Sequence, residues 1–204
     1  MQRLDLARPA LDVAPTLLGA RLTHRAAEGA VTVEITEVEA YSGETDPASH
    51  SHRGPTARNR VMFGEAGHMY VYLSYGIHWC ANIVTGVPGE GSGVLLRAGR
   101  VVEGVDLARE RRGSTVTDRN LARGPACLAQ ALRIDMAVNG ADVFAGPPLM
   151  LEVGRAVSER DISSGPRVGV RLAPDVPWRF WITDEPTVSA YKRSPRAAPI
   201  TPQP

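Results

Sequence analysis

The first residues with chemical potential lie on an alternating run. From residue 31 to 41 the odd positions read Val31, Val33, Ile35, Glu37, Glu39, Tyr41, with Thr32, Glu34 and Thr36 between them. In an extended chain, side chains two apart share a face. The pattern therefore predicts that Glu37 and Glu39 follow three β-branched residues onto what begins as the buried side. A carboxylate there is either paired with a cation or left poorly solvated, with a raised pKa suited to base chemistry. The alternative is that the strand leaves the core near Glu37 and both acids are simply solvated.

A second cluster is His50-Ser-His-Arg-Gly-Pro-Thr-Ala-Arg-Asn-Arg60, which has two histidines, three arginines and no acid. Arginine forks, hydroxyls and backbone N–H groups in such a loop can grip phosphates; a solvated basic loop is the plainer reading. His50 and His52 lack a third ligand at metal-binding spacing, so no metal is expected. The third cluster is Tyr70-Val-Tyr-Leu-Ser-Tyr-Gly-Ile-His-Trp-Cys-Ala-Asn82. Gly76 can supply the positive φ of a hairpin turn, which puts Tyr75 at an exposed tip. A two-residue turn pairs Tyr72 with Trp79; a slip of one puts Tyr70, Tyr72, Cys80 and Asn82 on one face. Both registers remain open. With Arg97 after Val94-Leu-Leu96, these clusters describe a pocket for something flat beside a surface for something anionic, which fits nucleotide chemistry.

The elements that must position these residues follow from periodicity. Residues 5–20 read as short helical turns, residues 21–41 as strands, 42–68 as a functional loop, 69–84 as a hairpin, and 93–96 as the start of another strand. Helices are expected over 103–111 and 125–132, the second with Pro125 near its start. Short strands and Pro-Pro turns follow Ala141. The fold class expected is α+β: one compact domain around a curved, mainly antiparallel sheet with flanking helices.

Composition narrows the function further. The 204 residues are 43% apolar and 22% charged, globular values that exclude wholesale disorder. No apolar run is long enough to span a bilayer, and the N-terminus lacks a signal-peptide core, so a cytoplasmic location is expected. Walker, Rossmann, HExxH and GxSxG patterns are absent, leaving the common cofactor chemistries unsupported. Cys80 and Cys127 have no redox or zinc spacing and read as buried thiols. Lys192 is the only lysine among 23 Lys+Arg, which leaves one candidate for any internal Schiff base. A net charge of +1 argues against binding nucleic acid by bulk charge, though not against a local basic groove.

Specific motifs then carry a resemblance. Glu39-Ala-Tyr-Ser-Gly43, His50, Thr56-x-Arg58-Asn-Arg60, Met62-Phe-Gly64, Tyr70-Val-Tyr-x-x-Tyr-Gly76, His78-x-Cys-x-Asn82, Val94-Leu-Leu-Arg97, Gly124-Pro125, Pro166-Arg-Val-Gly169 and Pro177-Trp-Arg-Phe180 resemble the alkyladenine (3-methyladenine) DNA glycosylase family. The resemblance runs in the family's order from about Leu11 to Ser189. It implies a glycosylase domain over 1–194; the last ten residues carry Pro195, Pro199, Pro202 and Pro204, so a frayed, Pro-rich tail is expected over 195–204. It also implies a monofunctional enzyme of base excision repair that works without cofactor or metal. Such an enzyme flips alkylated purines (3-methyladenine and 7-methylguanine types, with hypoxanthine and ethenoadenine as further candidates) from duplex DNA and leaves an abasic site. The implied partner is double-stranded DNA carrying alkylated or deaminated purines, bound by a monomer with no membrane and no obligate protein partner, in association with a bacterial nucleoid.

The resemblance also implies roles. Glu39 matches the general base and Arg97 the arginine that helps position the catalytic water. Tyr41 and Tyr72 match the aromatics that sandwich the extruded base, and His50 the imidazole beside it. Asn82 matches the residue whose bulk discriminates against the guanine amino group, and Tyr75 the intercalating wedge. Arg58, Asn59 and Arg60 match backbone contacts. The sequence departs from the family pattern at Ala126-Cys-Leu128, where a lysine is usual, at Trp181 in place of tyrosine, and at Glu65-Ala66 in place of a proline-rich turn. Two other classes remain as rivals: a non-catalytic sensor of damaged bases, and a hydrolase of free nucleosides.

Overall fold

Period-two residues after Arg21 build the spine of the computed structural model, which describes residues 3–197. In chain order the elements are α1 (Ala10–Thr16), β1 (Arg21–Ala26), β2 (Gly29–Ser42), β3 (Met69–Ser74), β4 (His78–Thr85), β5 (Ser92–Glu103), α2 (Val105–Arg112), β6 (Ala122–Arg123), α3 (Pro125–Leu132), β7 (Leu149–Glu152), β8 (Ile162–Gly165) and β9 (Arg179–Ile182). One sheet of nine strands carries the order β3-β4-β5-β2-β1-β7, with β6 on β5, β9 on β2 and β8 on β9. Every pairing among the described residues is antiparallel. The α+β class read from periodicity is the class observed. Residues 198–204 of the expected tail lie outside the described residues.

The helices cover one face of the sheet. α1 presents Val13 and Ala14, with Leu17 just past its end, and α3 presents Leu128, Ala129 and Leu132, to a core that includes Met69, Val71, Ala81, Ile83, Val94 and Leu96. Pro125 opens α3, where its missing N–H costs nothing, and Arg133 in the left-handed region closes it. α2 begins two residues later than the pattern suggests, because β5 continues to Glu103 before Gly104, at φ 71°, turns the chain. Cys80 is buried as expected, but Cys127 is only half-buried, with Arg112 Nη2 at 2.9 Å from its sulfur.

The alternation expected from Val31 to Tyr41 does not run unbroken. Ile35 pairs with Gly99 and Glu37 with Ala98, so β2 carries one extra residue, Thr36; Val38 then pairs with Leu96, so β5 carries one extra residue, Arg97. Each bulge advances its own strand by one residue, which restores the register but exchanges the faces. Val31, Val33 and Ile35 face the helical core, and beyond the bulge it is Val38 and Ala40 that do so. Glu37, Glu39 and Tyr41 are thereby turned to the opposite face. The edge partner of β2 changes at the same place. Ile35 exchanges backbone bonds with Gly19 and Ala20, and β9 takes over at Glu37. Thr36 itself is buried against Thr187, hydroxyl to hydroxyl at 2.8 Å.

Gly99 makes the bulge sterically feasible. A Cβ there would lie 2.6 Å from the Glu34 carbonyl oxygen and closer still to a Val33 methyl. Gly99→Ala is expected to lower unfolding free energy by about 1–3 kcal/mol, the usual cost of overpacking, measured as a shift in denaturant midpoint at unchanged slope. A wild-type midpoint would show that the two strands separate freely here.

Candidate active site

Across the face left free by the helices, strand register sets a row of side chains. Tyr70 pairs with Asn82, Asn82 with Leu95, Leu95 with Glu39, and Glu39 with Arg179, crossing β3, β4, β5, β2 and β9. A second pair, Tyr72 and Cys80, lies one step along. The hairpin thus takes the slipped register, with three residues at its tip. A cavity of about 710 Å³ opens over this row; its lining includes Glu39, Tyr41, His50, Tyr72, Asn82 and Arg97. Arg58 and Tyr75 also border it. Asn59 and Arg60 do not.

Glu39 is fully buried yet completely answered. Its Oε1 accepts the Val168 N–H at 2.6 Å and lies 3.2 Å from Arg97 Nη1, while its Oε2 accepts the Tyr41 hydroxyl at 2.8 Å. Burial and the neighbouring Glu39 charge hold the Tyr41 phenol proton on, so Tyr41 remains a donor. Burial favours the neutral forms of Tyr72 and Cys80 in the same way. Glu37, also fully buried, sits beside this group, where Arg97 and Arg179 both donate to it. Burial alone would raise its pKa, but the two guanidinium charges outweigh that and hold it below the ordinary carboxylate value. The solvated alternative for both acids is excluded.

The aromatic wall is built on β3. Tyr70 and Tyr72 stack at 5.7 Å, and the His50 ring meets Tyr72 edge-on at 4.4 Å. His50 Nδ1 lies 3.2 Å from the Tyr70 hydroxyl. Desolvation of the ring face against these tyrosines, together with the Arg58 charge, lowers the His50 pKa and favours the neutral imidazole. Asn82 donates its amide to the Tyr70 carbonyl at 3.1 Å, which sets its orientation within the row. At the hairpin tip Tyr75 is 92% exposed and adopts φ 50°, a left-handed conformation uncommon outside glycine. Such strain on a bare aromatic has no packing benefit to offset it.

The basic loop divides into two kinds of residue. Arg58 and Arg60 are exposed, and Arg58 donates to the Leu73 carbonyl at 3.1 Å. Asn59, grouped with them by sequence, is 3% exposed and organises the loop from within. Its amide donates to the His50 and Gly54 carbonyls at 2.9 and 3.2 Å, and its Oδ1 accepts from Thr56. The side-chain polar atoms of Asn59 are thus engaged within the loop, unlike those of its arginine neighbours.

Sequence reasoning missed the residues behind the site. Arg167, 1% exposed, forms a buried pair with Asp46, donates to the Ala40 carbonyl at 3.0 Å and lies 4.6 Å from the Tyr41 ring centre. It backs the Tyr41 ring and ties the start of the 42–68 loop to β2. Arg179 and Ser189 complete the set around Glu37. Arg167 and Arg179 stood inside motifs already singled out; nothing local marked them as ion-pair partners, since their acids are more than a hundred residues away. Among the described residues, no three His, Cys, Asp or Glu side chains converge as a metal site requires.

The arrangement is an aromatic slot lined by a buried, oriented carboxylate, with a guanidinium beside it and an exposed tyrosine at its border. Comparison with known proteins agrees with that chemistry. Residues 5–186 match the model of the methylpurine-DNA glycosylase family. A Streptomyces avermitilis protein is 52% identical over 195 residues, covering 94% of this chain and 92% of its own length. A Leifsonia xyli protein is 51% identical over 193 residues, covering 91% and 89%. A Nocardia farcinica protein is 51% identical over 187 residues, covering 89% and 86%. All three carry the name 3-methyladenine DNA glycosylase as a provisional assignment. With a match that spans most of its length in every comparison, this chain belongs to the methylpurine-DNA glycosylase family.

Proposed function

We propose that the protein is a monofunctional glycosylase of base excision repair that extrudes methylated purines from duplex DNA and hydrolyses their N-glycosidic bond. The observation that carries this reading is the buried Glu39, held by Arg97, Val168 and Tyr41 in the lining of a cavity walled by aromatics. Tyr75 enters the duplex from the hairpin tip and fills the space of the flipped nucleotide. Flipping costs a few kcal/mol and least at a damaged pair. The extruded purine lies between Tyr41 and Tyr72, where a ring made cationic by methylation at N3 or N7 gains roughly 0.5–2 kcal/mol per aromatic contact. Neutral His50 flanks it without opposing that charge.

Glu39 then takes a proton from a water held with Arg97, and the water oxygen bonds to C1′. The C1′–N bond breaks with its electron pair going to the base, which neutralises the positive charge of the methylated purine. An abasic sugar remains. Lys192, the only lysine of the chain, does not line the cavity, which favours water over an amine as nucleophile. Asn82, fixed by its bond to the Tyr70 carbonyl, supplies the bulk that discourages an exocyclic amino group at the purine edge. Arg58 and Arg60 hold phosphates. The working location is with bacterial DNA.

Base release from methylated duplex DNA tests the reading. Wild type is expected to release 3-methyladenine, with strand breaks only after alkali, and Glu39→Gln to slow release by about 10²–10⁴-fold. Retained turnover would remove Glu39 as base; breaks without alkali would show lyase chemistry. Tyr75→Gly is expected to keep or raise the melting temperature, since it relieves the left-handed strain, while excision from duplex collapses. Equal activity on free nucleosides would instead favour a nucleoside hydrolase. Arg58→Ala and Arg60→Ala are each expected to reduce the slope of log affinity against log salt by about 0.9. Asn59→Ala is expected to lower loop stability without that signature.

A further inference from the structure

Glu37 is a buried charge that the proposed reaction does not use. Four donors converge on it: Arg97 Nε at 2.8 Å, Arg179 Nε at 2.6 Å, Ser189 Oγ at 2.9 Å and the Ser189 N–H at 2.7 Å. Arg97 in turn divides its guanidinium three ways. Nε goes to Glu37, Nη1 lies against Glu39, and Nη2 donates to Ser189 Oγ at 3.1 Å. Arg179 closes the ring by donating to the Ser189 carbonyl at 2.8 Å and lies over the Trp181 ring at 4.7 Å. Every direction of the Arg97 fork is thus assigned, two of its three contacts by groups that touch no part of the cavity. Glu37 and Ser189 are absent from the cavity lining.

Packing alone does not account for this arrangement. A buried charge cluster is a costly way to join two strands, and an apolar contact of the same volume does so at least as well. What the cluster does supply is a fixed plane for Arg97 and a second carboxylate sharing its charge. Without Glu37, the guanidinium would face Glu39 alone, beside an unanswered Arg179. Two arginines would then share one carboxylate, and no second one would fix the plane of the Arg97 fork.

We propose that Glu37, seated on Arg179 and Ser189, is a positioning residue that fixes the plane of Arg97 and takes up part of its charge, so that the guanidinium stays aimed at Glu39 and at the water between them. This inference rests on the glycosylase reading above and adds to it a role for the second strand carboxylate. The groups facing Glu39 are Tyr41 and Glu37 on its own strand, Arg97 on β5, Tyr72 and Cys80 on the hairpin, and the Val168 N–H. Arg167 behind Tyr41 and Arg179 behind Glu37 complete the surrounding charges. Of these, Tyr41, Tyr72 and Cys80 are held in their neutral forms by burial, so the ionised neighbours in contact are Arg97 and, through it, Glu37.

The test is single-turnover release from methylated duplex DNA across pH, with melting temperature measured in parallel. Glu37→Gln keeps the shape and loses the charge. It is expected to slow the plateau rate about ten- to a hundred-fold, the scale of a small misplacement near the reacting atoms, and to move the acid limb to lower pH, because losing one negative charge leaves the site more positive. Affinity for duplex carrying a tetrahydrofuran abasic analogue is expected to stay at the wild-type value. Glu37→Asp retains the charge and is expected to return the acid limb to its wild-type position. A Glu37→Gln enzyme with wild-type rate and limb, or one slowed with the limb unmoved, overturns the proposal. Should Glu37→Gln fail to fold, Ser189→Ala carries the test. It removes the hydroxyl bridging Glu37 and Arg97, and a slowed rate at wild-type analogue affinity supports the proposal, whereas an unchanged rate overturns it. No release by the wild type would remove the glycosylase reading and this inference together; loss of the inference alone leaves wild-type release intact.

Discussion

Two carboxylates on a strand with no exposure to water must be answered by cations within hydrogen-bond reach, because moving each ion out of water costs on the order of several kcal/mol. Glu37 and Glu39 are answered by Arg97 from the neighbouring strand and by Arg179 from the opposite edge. That single requirement organises much of the chain. β9 must lie along β2, the segment ending at Ser189 must fold back over it, and Val168 must approach closely enough to give its N–H. The C-terminal third therefore completes a site whose acids stand in the first quarter of the sequence.

The paired bulges are the geometric side of the same constraint. An unbroken β2 would send Glu37 and Glu39 into Leu, Val and Ile side chains under the helices, where no partner waits. One extra residue on each strand keeps the ladder in register while exchanging its faces, and the extra residue on β5 is Arg97 itself. The bulge thus places the cation and turns the acids toward it in one step. Gly99 supplies the close approach that makes this possible.

On the far side of the sheet the balance is different. Tyr70 packs with Met62 and Val84 in a small second core, whereas the cavity and the strained, bare Tyr75 bury nothing and are tolerated because the helix-covered face holds the fold. α1 and α3 bury a continuous apolar core against alternate residues of the same strands. A sheet with one face packed and one left for ligand can carry polar rows and strain at the second face without losing the first.

Much was legible in sequence. Period-two and helical patterns located the main strands and helices near their observed bounds, Gly76 marked the hairpin tip with Tyr75 exposed, and the ordered motifs pointed to the family to which the chain belongs. Those features depend on local backbone preference or on residues close in sequence. What sequence left open depended on contacts far apart along the chain. The hairpin register was undecided because a slip of one exchanges faces without changing composition. Asn59 read like its arginine neighbours, since only the closed loop shows its amide turned inward. The fate of the two acids was undecided because alternation assumes an unbroken strand, and a bulge leaves no local signature in Ile35-Thr-Glu37. Arg179 lies 142 positions from Glu37, and Arg167 lies 121 from Asp46. A sequence determines which residues prefer to be extended, helical or bare; only the tertiary structure decides which buried charge meets which, because that pairing is a property of the closed sheet and of no segment within it.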